Sequence, residues 1–206
     1  MSFYSIDKFI AEYYPEYWGY QSYPIDESIA IRKVDEPWGI FSNFAPTPLV
    51  IGGVSFRNSE ELFQLMKFKD AEILDRIRNN ITREGKTCYN IKKTVKSYEK
   101  DYRRDDWGRM VIDAMKYALL VKYRQCGEFR RALAASQGKH IVEDQATMPK
   151  KNPDAWGVKP DGDCFVGPNI LGRLLMELRD NGTLCYTLSD DALSFIDIIR
   201  ARTSMV

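Results

Sequence analysis

DDWGRMVIDAMKYALLVKYRQ, residues 105–125, is the stretch on which the fold turns. Met110, Val111, Ala114, Met115, Ala118, Leu119 and Val121 recur at three- and four-residue intervals, the period of one helix face. The spacing predicts a long amphipathic helix, with Gly127 as its stop. Toward the C-terminus, 128–135 reads as a short helix and 141–143 as a strand. Residues 145–168 hold seven glycines and prolines beside several aspartates, so they read as a long loop. A loop of that length inside one domain usually serves function. Residues 169–180 and 188–200 read as the closing helices.

Toward the N-terminus, 81–104 reads as a helix-and-loop connector, and the lysines and arginines of 92–104 as a solvated face. Residues 71–79 read as a helix ending at Asn79-Asn80. From Asn58 the pattern is helical, with Leu62, Phe63, Leu65, Met66 and Phe68 on one broad face. Residues 49–56 form a strand pair turned by Gly52-Gly53, and 29–34 a further strand. The first 27 residues carry Tyr13, Tyr14, Tyr17, Trp18, Tyr20 and Tyr23 with Pro15 and Pro24. That is too apolar for a disordered tail. A helix over about 5–14 and then an irregular strap are expected, either packed on the domain or covering one rim of a ligand site. The sum is an α+β, mainly helical, single compact domain over 29–206 with a few short strands, preceded by an aromatic strap over 1–28.

At 206 residues the chain suffices for one substantial core. Its formal charge of +1 gives no global basic field of the kind that drives non-specific nucleic-acid binding. A local positive patch would still serve a small phosphorylated ligand. Cys88, Cys126, Cys164 and Cys185 lie far apart and His140 is the only histidine, so neither a zinc site nor any other metal is expected, and no cofactor. No apolar run approaches the ~20 residues that span a bilayer. Met1-Ser2-Phe3-Tyr4 does not open a signal peptide. A cytoplasmic protein with free thiols is expected; oligomeric state has no signature.

Four stretches put polar residues beside aromatics or glycine at helix starts or in loops, where ligands are often held. In the first, Phe41-Ser42-Asn43-Phe44, Asn43 is a candidate hydroxyl or phosphate ligand. In the second, Asn58 is a plausible N-cap, which sets Glu60 and Glu61 in the first helical turn, where the macrodipole favours carboxylates. Glu61 suits a capping box. Glu60, Gln64 and Lys67 share one stripe of that helix, whose plain reading is a solvated face. In the third, Asp154-Ala155-Trp156-Gly157, Trp156 can stack on a flat group or fold back on the core, and Gly157 lets backbone approach a ligand. The fourth is Gly167-Pro168-Asn169, where Asn169 as cap leaves free N–H groups, an anion site or simply a cap. Trp107 reads as a core anchor or a stacking platform.

Taken in order, these pieces resemble the NADAR superfamily, the NAD- and ADP-ribose-associated proteins. The matching residues are Gly39-Ile40-Phe41-Ser42-Asn43-Phe44, Ser59-Glu60, Phe63-Gln64, Lys67-Phe68, Trp107, Lys122-Tyr123, Leu133, Glu143, Asp154, Trp156-Gly157 and the motif over 169–179. The likeness spans about 29–180. Glu61 stands where the family usually has histidine, Ile31 or Arg32 where an aromatic is common, and the family's glycine-arginine segment has no clear match in 85–93.

The resemblance implies an N-glycosidase for a phosphorylated or ADP-ribose-containing N-riboside, either a riboflavin-pathway intermediate or an ADP-ribosylated guanine base in nucleic acid. It implies Glu60 as the carboxylate that stabilises oxocarbenium-like charge on the sugar, and Asp154 as the group that activates water or protonates the base. Lys67 would hold a phosphate or, if neutral, attack the sugar. Trp107 and Trp156 would stack flat groups. Gln64, on the Glu60–Lys67 stripe, would bind substrate, and Asn43, Asn169 and the backbone at Gly157 would bind hydroxyls or phosphate. The reading from another class is a module that binds ADP-ribose without cleaving it. All of this supposes that folding gathers the four stretches.

Overall fold

The computed structural model describes residues 6–82 and 90–203. Cys88 and most of the 85–93 segment lie outside the described residues. In chain order the described elements begin with α1 (Ile6–Tyr13), a 3-10 turn at Pro15–Tyr17, β1 (Gln21–Pro24), β2 (Ser28–Ile31), a second 3-10 turn at Gly39–Phe41, β3 (Leu49–Ile51) and β4 (Val54–Phe56). Helices follow as α2 (Ser59–Leu65), α3 (Ala71–Thr82), α4 (Asn90–Lys96), α5 (Glu99–Tyr102), α6 (Trp107–Gln125) and α7 (Gly127–Ala135). The order closes with β5 (His140–Glu143), β6 (Lys159–Asp161), β7 (Cys164–Gly167), α8 (Ile170–Asn181) and α9 (Ser194–Thr203). The fold is α+β and mainly helical, with short strands.

Contacts divide the chain into two units, one drawn from Met1–Ala45 and Cys126–Cys185, the other from Pro46–Gln125 and Tyr186–Val206. In the first, β2 and β5 pair in parallel, Ile29 opposite Ile141. A three-stranded antiparallel sheet has the order β1-β7-β6. The strap over 1–28 is therefore not irregular throughout, because β1 pairs with β7 and sets Tyr23 opposite Phe165. Those two rings pack with Val142 and Val158 in one buried cluster. The region read as one long loop is likewise part sheet, since β6 and β7 make a hairpin turned at Gly162, whose φ is +58°. Pro160 has no N–H to give a ladder, and β6 tolerates it as an edge strand. Helix α8 packs so close to β5 that a Cβ at Gly172 would lie 2.0 Å from the Ile141 carbonyl oxygen.

The second unit is built on α6, buried over most of its length. Its neighbours are α2 and β3. β3 and β4 form the expected hairpin, and Gly52 and Gly53 both have positive φ, +56° and +80°, the signature of a tight two-residue turn that suits the strand twist. Phe56 of β4 meets Phe195 of α9 edge to face, with centroids 6.1 Å apart. Gly127 does not stop α6; it opens α7, whose N-cap is Cys126.

Candidate active site

Helix α2 decides the chemistry of the second unit. Asn58 is extended (φ −167°, ψ 175°) and its Oδ1 accepts the N–H of Glu61 at 2.9 Å, an N-cap of the ordinary kind. Glu61 returns the favour one residue further out than a capping box would. Its Oε2 accepts the N–H of Arg57 at 2.9 Å and Arg57 Nε at 3.2 Å. The residue at the family's histidine position is thus committed to holding the helix start.

Every residue of α2 is buried. The stripe of Glu60, Gln64 and Lys67 is therefore not a solvated face: the three are only 3%, 4% and 8% exposed. Charged side chains are almost never so buried without a partner. Gln64 Nε2 donates to Glu60 Oε1 at 2.8 Å, and the half-exposed Lys92 of α4 brings its Nζ to 3.6 Å from the same oxygen. Gln64 Oε1 is buried and has no hydrogen-bond partner among the described residues.

Lys67 pairs with Glu99 of α5. Its Nζ also sits 5.9 Å from the centroid of the Phe63 ring and 5.7 Å from that of Trp107, within cation–π range. Burial pulls its pKa below the usual lysine value, and the opposing pull of Glu99 and Glu60 does not cancel that effect. Trp107 is 4% exposed and lies 5.3 Å from Phe63, so it anchors the core beside the lysine. A second lysine, Lys122 on α6, is fully buried as well.

In the connector read as a solvated face, Lys92, Lys93, Lys96 and Lys100 are exposed as expected, but Arg104 is buried and supports this cluster. Arg104 donates its backbone N–H to the Lys67 carbonyl at 2.9 Å. Its guanidinium, 1% exposed, grips Asp106 with two nitrogens and also reaches Ser189 at 2.7 Å and Asp191 at 2.6 Å. The same guanidinium holds the Asp106 carboxyl down at about 2. A cleft of about 410 Å³ opens here, lined by Lys69, Asp70, Tyr102, Arg103, Arg104 and Asp105. Glu99, Lys92 and Arg104 carry no local signal in the sequence, because Lys67, Glu60, Ser189 and Asp191, the groups they meet, lie 32 to 87 residues away.

In the first unit, Asp154, Trp156, Gly157 and Asn169 come together on one loop and the helix that follows. Asp154 braces the loop. Its Oδ1 accepts Gln145 Nε2 at 2.6 Å and the N–H of Trp156 at 3.0 Å, and its own N–H donates to Gln145 Oε1 at 2.9 Å. Trp156 is half-buried. Gly157 is close-packed on the protein's own backbone, since a Cβ there would lie 2.4 Å from the Glu143 carbonyl oxygen.

The N–H groups expected free at the start of α8 are not free. Those of Asn169, Ile170 and Leu171 donate to the carbonyls of Gly157, Ala155 and Trp156 at 3.1–3.2 Å. Asn169 is left-handed (φ +52°) and makes no side-chain cap. Its fully buried side chain instead clips α8 to β5, accepting from Glu143 N at 3.1 Å and donating to the Ile141 carbonyl at 2.9 Å. The anion site expected there is replaced by a structural clip. Asn43 is buried just after the Gly39–Phe41 turn, where Phe41 stacks on Trp38 and meets Phe129 of α7 edge to face.

With the α+β fold and these sites in place, the class follows from a comparison: the model of the NADAR domain matches residues 31–181, and the chain belongs to that family. N-glycosidase YbiA of Shigella boydii is 32% identical over 157 residues, covering 75% of this chain and 88% of the relative. N-glycosidase Npun_R5314 of Nostoc punctiforme is 30% identical over 74% of this chain and 91% of its own length. Riboflavin biosynthesis protein VVA0006 of Vibrio vulnificus is 24% identical, with 39% of its length covered. The NMR structure of Escherichia coli YbiA superposes with a TM-score of 0.57 at 29% identity, covering 75% of this chain and 84% of that one.

Among the described residues no group of histidine, cysteine, aspartate and glutamate is arranged to hold a metal, and no helix is long and apolar enough to cross a membrane.

Proposed function

We propose that this chain cleaves the N-glycosidic bond of a phosphorylated or ADP-ribose-containing N-riboside, with Glu60 as the charge-stabilising carboxylate. The chain is a hydrolase acting on N-glycosyl bonds, as the family and the relatives named N-glycosidase have it. The observation that carries it is the burial of Glu60 on a helix with no solvated side. A carboxylate in so dry a setting stabilises developing positive charge far better than one in water.

In the reaction the bond between C1′ and the base nitrogen breaks, and the electron pair leaves with the base. Glu60 faces the cationic sugar, water adds its oxygen to C1′, and one proton from water ends on the base. Gln64 fixes the Glu60 carboxylate through its amide N–H. Lys67 is already paired with Glu99, which argues against a role in holding a phosphate, and burial lowers its pKa. In the neighbouring cleft Arg103 has the charge a phosphate needs, while Lys69 there is paired with Asp191. Trp156 offers a half-buried ring to a flat group. Trp156→Ala is expected to weaken ligand affinity with little change in Tm, and unchanged affinity with a large fall in Tm would return the ring to the core.

The test is incubation with a pyrimidine-type N-riboside 5′-phosphate, NAD and an ADP-ribosylated guanine oligonucleotide, read by mass spectrometry for free base. Release from at least one is expected. Calorimetric binding without release from any would make the chain a reader of such ligands rather than an enzyme.

A further inference from the structure

We propose that Gln64 reads the 2′-hydroxyl of the substrate's ribose, so that the site selects ribosides over 2′-deoxyribosides. The inference rests on the N-riboside reading above and extends it. Gln64 is 4% exposed and makes one side-chain hydrogen bond that fixes how its amide is turned. Its partner, the Glu60 carboxylate, only accepts, so the atom facing it must be the amide nitrogen. Turning the amide over would set two acceptors against each other 2.8 Å apart. The carbonyl oxygen, Oε1, therefore points elsewhere, and there it is buried with no partner among the described residues.

A buried acceptor left unpaired is costly, and native proteins keep few of them. The chemistry of Oε1 calls for a donor, which excludes a phosphate or any other anion as its ligand. Gln64 Oε1 is one amide group away from the carboxylate proposed to face C1′. On a ribose, the donor nearest C1′ is the hydroxyl on the adjoining carbon. An amino group of the base would also be a donor, but it departs with the leaving group as the sugar charge grows. A hydrogen bond to the 2′-hydroxyl persists through that step, and such bonds strengthen in glycosidase transition states. A site built around this acceptor rejects a sugar lacking the hydroxyl, because the acceptor then stays unpaired.

The experiment compares kcat/KM for each cleaved N-riboside 5′-phosphate and its 2′-deoxy counterpart, in wild type and Gln64→Met. Deoxyribosides lose their base more readily by themselves, so the informative quantity is the change in the ribo-to-deoxy ratio. Gln64→Met also removes the donor to Glu60, but that loss slows both sugars alike and leaves the ratio in place. The ratio is expected to fall by on the order of tenfold to a hundredfold. An unchanged ratio with cleavage intact would overturn this inference and leave the N-glycosidase reading standing. Calorimetry of wild type with ribose 5-phosphate and 2-deoxyribose 5-phosphate gives the same answer without a variant: about tenfold tighter binding of the ribose is expected, and equal affinity counts against the hydroxyl contact. Absence of cleavage for every N-riboside would remove the broader reading and this one with it.

Discussion

Glu60→Gln changes one oxygen to nitrogen and separates charge from shape. The glutamine keeps an acceptor that can face Gln64 Nε2, so the 2.8 Å hydrogen bond survives. It loses the 3.6 Å ion pair with Lys92, whose side chain is 56% exposed. Pairs of that kind contribute about 0–1 kcal/mol. Against this, a charge is no longer buried, which relieves a desolvation cost. The two effects oppose each other, so stability is expected to change by no more than about 1 kcal/mol. For a chain of this length that is about 2–4 °C in Tm.

The rate behaves differently. A neutral amide cannot stabilise the sugar cation, and loss of such a group costs on the order of a hundredfold or more. At 1.36 kcal/mol per decade this is about 2.7 kcal/mol of transition-state stabilisation. A perturbation that is nearly silent in calorimetry is thus expected to remove most turnover in a chromatographic assay of released base. Glu60 also raises the Lys67 pKa, so in the variant that pKa should drop further, readable by NMR titration of the lysine ε-methylene. Wild-type turnover in a folded Glu60→Gln protein would refute the assignment. A fall in Tm of 10 °C or more would refute the stability reasoning.

Three further perturbations test the surroundings. Glu99→Gln removes the largest pull that holds the Lys67 pKa up; the limb of the kcat/KM profile governed by Lys67 should move to lower pH, and a move to higher pH would contradict the pairing. Asp106 titrates at about 2 in the fold against 3.8 for the free group, so its contribution is complete above 3.8 and is lost as pH falls toward 2. Asp106→Asn should flatten urea stability across that window, by about 1 kcal/mol once the 35% exposure of the side chain is discounted. Gly157→Ala would force a Cβ to 2.4 Å from the Glu143 oxygen and 2.7 Å from the Gln145 side chain. A loss of about 2–3 kcal/mol is expected, near 5–10 °C in Tm, measured by differential scanning calorimetry.

What was legible in the sequence was what depends on neighbours within one turn or one hairpin. The α6 period, the Gly52-Gly53 turn and the Asn58 cap each involve residues a few positions apart, and each is found. The strands β1, β6 and β7 were not legible. They are three or four residues long, two of them contain proline, and β1 finds β7 some 140 residues further on. Motif and role also parted company at Asn169. The residue and the helix start were visible, but the carbonyls of 155–157 that take up its N–H groups were not. Conversely, the polar stripe on α2 looked like an ordinary wet face because nothing in 58–68 says that α4 and α6 will cover it.

That covering has an energetic consequence. Burying Glu60, Gln64 and Lys67 costs stability, as any buried charge or unpaired amide does, so the geometry must be enforced from outside the row. The enforcement comes from the connector. Arg104 ties the Lys67 carbonyl to its own N–H while its guanidinium binds Asp106, Ser189 and Asp191. The chain between Lys67 and Arg104 is thereby closed into a loop whose far limb, α5, carries Glu99 to the lysine. Arg104 touches none of the proposed reacting groups through its side chain. Its position at the base of that loop explains why a guanidinium of 1% exposure stands in a run of lysines and arginines otherwise suited to solvent.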